Sequence, residues 1–135
     1  MTVAAAPVGP QRYAETYPAT EVSATRARHD TSLILLTWHL DPMIEAAELI
    51  VTELMANAVR HGEGPISFSV TRLTGGVKIS VCDRCAKKPN RCPADLSDEG
   101  GRGLFLVETL ATSWGCEVTR SGKKVWAELL SGART

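Results

Sequence analysis

Residues 53–62 read ELMANAVRHG, and how they fold decides how the rest of the chain is read. Apolar positions at Leu49, Ile50, Leu54, Ala58 and Val59 recur at helical spacing and supply a core face. Glu53, Asn57 and His61 stand four residues apart, so a helix lines them up on one side, along the border of that face. Asp41-Pro42 predicts the helix start, with Asp41 as N-cap and Pro42 in the first position. Gly62 and Gly64 predict its end. Taken alone, such a polar row is ordinarily a solvated stripe, so its meaning depends on what lies downstream.

Downstream, PISFSVTRL (65–73) and GVKISVCD (76–83) alternate apolar and polar residues with period two, and Thr74-Gly75-Gly76 between them predicts a hairpin. Asp83 closes the second strand. A polar stretch with two prolines follows at 84–101, RCAKKPNRCPADLSDEGG, long enough to hold a functional lid, which is placed at 84–100. GLFLVETLATSWG (103–115) predicts a helix ended by Gly115. CEVTRSG and KKVWAELL predict a second hairpin around Ser121-Gly122. Upstream, RYAETYPA (12–19) reads as an edge strand limited by Pro18. Residues 21–40 read as a helix capped by Ser23 or Thr20, with an apolar stripe of Ala27, Leu33, Ile34 and Trp38. Residues 1–11 read as a disordered tail and 12–131 as one domain. The expected class is α+β: a two-layer sandwich with a mixed, mostly antiparallel sheet and helices on one face.

The bulk composition narrows the function. The chain has 135 residues, 15 basic against 15 acidic, and is 44% hydrophobic. A neutral chain lacks the electrostatic footprint of a nucleic-acid or anionic-membrane binder. No apolar run approaches the roughly 20 residues of a membrane span. The apolar N-terminus has no basic residue ahead of it and is broken by Pro7, Gly9 and Pro10, which makes it a poor signal peptide. The expectation is a cytoplasmic protein.

Two further stretches carry chemistry. In EGGRGLFLVETLA, Gly100, Gly101 and Gly103 adjoin a helix start, where free N–H groups and close backbone approach suit an anion. No Walker lysine follows, so this is not a P-loop. Asp83, at a strand end, is placed to accept a hydrogen bond from an exocyclic amine; a turn-forming aspartate is the ordinary alternative. The four cysteines are Cys82, Cys85, Cys92 and Cys116. The first three, in CDRCAKKPNRC, open like a zinc knuckle but lack a fourth ligand. In a cytosolic chain no disulfide is expected.

The order of parts resembles the GHKL ATP-binding fold of histidine kinases and gyrase-type topoisomerases. The short single-domain form is similar to the anti-sigma-factor serine kinases of bacteria, among them small actinomycete members. ELMANAVRHG matches the N-box and GGRGLFLV the G2 box. The resemblance implies ATP and Mg2+ as cofactors, with Asn57 as magnesium ligand and Glu53 as general base for the attacking hydroxyl. It sets His61 near the phosphates or the lid, Asp83 on the adenine amine, and Gly100, Gly101, Arg102, Gly103 and Leu104 around the phosphates. Two positions depart from the family pattern. Cys85 stands where relatives carry Gly or Ser, and Lys124 precedes Val125 where relatives carry a Thr that helps to bind adenine through water.

The leading expectation is an ATP-binding anti-sigma-type regulator with protein serine/threonine kinase activity. Its partners would be a STAS-type anti-anti-sigma protein and a sigma factor, with no nucleic acid or membrane, and a homodimer is compatible with the family. The alternative is a partner-binding module of the same fold with weak or no nucleotide binding. A third reading is a zinc or redox-responsive regulator acting through Cys82, Cys85 and Cys92.

Overall fold

Alternation in residues 66–84 builds the centre of the sheet. The computed structural model describes residues 11–61, 63–84, 101–120 and 122–131, except the side chains of residue 61 and of residues 101–105. Nearly all of the expected N-terminal tail, and the lid beyond Arg84, lie outside the described residues. Strands β2 (Ile66–Leu73) and β3 (Gly76–Arg84) form the expected hairpin, Phe68 opposite Val81 and Val70 opposite Ile79. Strand β1 (Arg12–Tyr17) pairs with β2, β5 (Gly122–Leu130) with β3, and β4 (Ser113–Val118) with β5. The order is β1-β2-β3-β5-β4. Every ladder is antiparallel, so among the described residues the sheet is uniform rather than mixed.

One face of this sheet is covered by helices α1 (Glu21–Thr37), α2 (Ile44–His61) and α3 (Gly101–Leu110). Ile66, Phe68, Val70, Val77, Ile79, Val81, Val125, Ala127 and Leu129 are buried with Leu35, Ile50, Val51, Leu54, Met55, Ala58 and Val107 in one core. Burial of this apolar face is what holds the two layers together. The alternate residues, among them Ser67, Ser69, Ser80, Cys82, Lys124 and Trp126, fall on the other face by strand parity.

Several local expectations change. The inner stripe of α1 is Ser23, Ala27, Thr31 and Leu35, while Leu33 is exposed. Small residues at three of these positions let α1 lie close to its neighbours, and the Thr31 hydroxyl is satisfied by the Ala27 carbonyl at 2.7 Å. Asp30 ties α1 to β1, accepting hydrogen bonds from Tyr17 Oη at 2.6 Å and Tyr13 Oη at 3.2 Å. Thr20 is the N-cap of α1 but makes no side-chain capping bond. Asp41 and Pro42 open a 3-10 turn, Asp41–Met43, rather than the α-helix itself, and Leu40 holds the cap position.

Helix α3 begins at Gly101 and stops at Leu110, and Gly115 lies inside β4 rather than at a helix end. The reason is tertiary. Gly115 pairs with Trp126, whose indole lies so close that a Cβ on residue 115 would come within 2.5 Å of Cζ2. Residue 115 is a glycine because a ring occupies its side-chain space. Pairing in β4 also sets Cys116 opposite Val125 on the helix side. Cys116 is disulfide-bonded, which corrects the expectation of no disulfide.

Candidate functional site

The polar row of α2 leads to one end of the sheet. Just past the helix, the Glu63 N–H donates to the Arg84 carbonyl at 2.9 Å. The C-terminal turns of α2 are thereby pinned to the C-terminal end of β3. Asn57, one turn before the helix end, and Asp83, next to last in β3, are brought to the same end of the molecule.

Their burial rules out the solvated-stripe reading for Asn57. Its side chain is only 8% exposed, between buried Leu54 and Ala58, and its amide makes no hydrogen bond among the described residues. Every fully buried side-chain polar atom described here has a partner, so the Asn57 amide keeps an opening through which a ligand can reach it. Glu53 is half-buried one turn earlier. His61 ends the helix, and its side chain lies outside the description.

Asp83 is 4% exposed, on the helix-side face of β3, and its Oδ1 accepts the backbone N–H of Lys123 at 3.3 Å. The strand pairing is tight here. A Cβ at Gly122 would lie 2.0 Å from the Asp83 carbonyl oxygen, so no larger residue allows β5 to approach this closely. Lys123 is Asp83's cross-strand partner, shares its face, and is also 4% exposed.

Lys123 was missed by the sequence reading, which weighed Lys124 instead. Strand parity was the available signal. Val125, Ala127 and Leu129 face the helices, so Lys123 shares their face and Lys124 does not. Lys124 sits opposite Cys82 and lines a groove of about 550 Å³ on the open face, with Arg12, Ser67, Ser69 and Ser80. The departure at Lys124 therefore does not face Asp83. Nor does Cys82, a free half-buried thiol. Burial raises its pKa, and the Lys124 charge opposes that rise. Among the described residues no three potential metal-ligating side chains cluster; Cys85 and Cys92 of the zinc reading lie outside them.

Gly101, Arg102, Gly103 and Leu104 form the first turn of α3, one helical turn that the sequence reading had put partly ahead of the helix. Gly100 lies outside the described residues. At the other end of α3, the Thr112 N–H donates to the Glu128 carbonyl at 2.7 Å. The short link turns the chain back into β4, which runs toward Val118, opposite Lys123. The start of α3 is thereby set toward the Asp83 end. Its first-turn N–H groups carry the positive end of the helix dipole.

A two-layer sandwich with a buried amide, a buried carboxylate and a glycine-containing helix start at one end is the architecture of a nucleotide-binding module. The chain belongs to the histidine kinase-like ATPase domain family, whose model matches residues 17–129. It is also similar to an uncharacterized protein of Streptomyces coelicolor, 35% identical over 72 residues, which cover 50% of this chain and 69% of that one. Among the described residues, no helix is long and apolar enough to cross a membrane.

Proposed function

We propose that the protein binds ATP with Mg2+ at this end of the sandwich and acts as a protein serine/threonine kinase of the anti-sigma-factor type. The observation that carries the reading is the pair of buried polar groups, Asn57 and Asp83, at one end of a histidine kinase-like ATPase domain. The donor set fits the cofactors. An amide oxygen is a hard ligand suited to Mg2+, and a buried carboxylate is an acceptor suited to the adenine amine. When bound, ATP supplies the phosphoryl group and Mg2+ offsets its charge.

Within that frame Asn57 holds the metal, Asp83 orients the base, and the α3 start draws the phosphates toward its N–H groups. Glu53, one turn from Asn57 on the same side, takes the proton of an attacking serine or threonine hydroxyl. The substrate we favour is a small STAS-type anti-anti-sigma protein, with a sigma factor as the regulated partner; fold-level analogy supports this choice. The non-catalytic alternative leaned in part on Lys124, whose place on the open face removes that support.

Calorimetric titration of Mg-ATP into the full chain, with Asn57→Ala beside it, tests the reading. Saturable binding that the variant loses is the expected result. Equal titration curves for both proteins would move the nucleotide out of this site.

A further inference from the structure

Lys123 is the one buried cation of the described residues. It has no part in the mechanism above. A lysine that is 4% exposed is ordinarily paired, because an unpaired charge away from water is costly. Among the described residues its ammonium has neither ion pair nor hydrogen bond. Every fully buried side-chain polar atom described here does have a partner. The stem of Lys123 is therefore what is buried, and the ammonium keeps an opening at its tip.

Register fixes which face that side chain shares. Lys123 stands directly opposite Asp83, on the same face, and gives that carboxylate its backbone N–H. Directly opposed residues carry their Cβ atoms about 5 Å apart. The two side chains are complementary in kind: a carboxylate only accepts and an ammonium only donates. A base bound through its amine to Asp83 must then show an acceptor to Lys123. Adenine does this, since its amine is flanked by two ring nitrogens that accept, one in each ring. Resting on the nucleotide reading above, we propose that Lys123 is a specificity-determining residue of the site. Its ammonium donates to an adenine ring nitrogen while Asp83 holds the neighbouring amine.

The test is calorimetric titration of ATP and AMP into the full-length protein and its Lys123→Met, Lys123→Arg and Asn57→Ala variants. Lys123→Met keeps the length and the apolar stem but removes the donor. It should weaken ATP and AMP by the same factor, about ten- to hundredfold, as expected for a hydrogen bond made by a charged group. Lys123→Arg should recover part of the loss, which a purely packing role would not produce. Unchanged binding in Lys123→Met overturns the proposal. So does a loss for ATP with none for AMP, which would assign the ammonium to the outer phosphates. If instead wild type binds neither nucleotide, or Asn57→Ala binds Mg-ATP as wild type does, the nucleotide reading fails first and takes this one with it.

Discussion

Cys82 and Asp83 are neighbours in β3, as are Lys123 and Lys124 in β5, yet each pair is split between two environments. Asp83 and Lys123 face the helices and are 4% exposed. Cys82 and Lys124 face the open side, at the edge of a groove lined by serine hydroxyls. The residue types are similar, and their physical situations are not. On the helix side most of the side chain has left water, and its charge meets a partner or keeps only a small opening. On the open side water answers it, and an antiparallel sheet tolerates such a face without a cover. One step along a strand thus separates a buried polar residue from a solvated one.

The sharpest way to break this contrast is at the buried amide. Asn57→Ala should lower Mg-ATP affinity by more than about 100-fold, beyond the usual cost of losing a metal's outer-shell partner; retained binding would put the site elsewhere. Next comes a pair of substitutions in adjacent residues of β3. Ile79, 0% exposed, should cost about 2–5 kcal/mol on change to Ala. Ser80→Ala, on the open side, should stay within about 0.5 kcal/mol. Urea unfolding of both variants measures the difference, and similar midpoints would mean that the two faces are not distinct.

A third prediction concerns pH. Burial, and then the hydrogen bond to Asp30, raise the pKa of Tyr17 above its ordinary 10.0. The native protein therefore holds that proton more tightly than the unfolded chain does. The resulting stability is fully present below about pH 10 and is lost as the pH rises past it. Unfolding midpoints should fall across that range, and Tyr17→Phe should flatten the fall; an equal fall in both proteins would assign it to other groups. The smallest expected effect is at Lys124. Lys124→Met should leave Mg-ATP affinity unchanged, and a drop matching that of Lys123→Met would show that strand parity does not partition the two lysines.

Much of the fold is legible in the sequence. Period-two alternation in β2 and β3 and the turn at Thr74-Gly75 fix that hairpin, because burial of one face enforces register. The α2 helix and its end at His61 were readable from spacing and glycines. Gly115 misled for a physical reason: a glycine after an apolar helix looks like a terminator, and only Trp126 on the paired strand reveals why it sits in β4. The inner stripe of α1 misled in the same way. Leu33 is more apolar than Ser23 or Thr31, yet the close approach of neighbouring elements selects the small side chains.

The candidate site divides along the same line. Glu53, Asn57 and Asp83, and the order in which they occur, were present in the sequence, since helical period and strand ends are local properties. The burial of Asn57 was not, because it depends on the layer packed against α2. Nor was the choice of Lys123 over Lys124, which follows from pairing across strands far apart in the chain. By itself the sequence determined the elements, their alternation and the family motifs, all set by interactions between near neighbours. The tertiary structure alone decided which polar groups leave water and which groups face one another, because desolvation and register belong to the assembled layers.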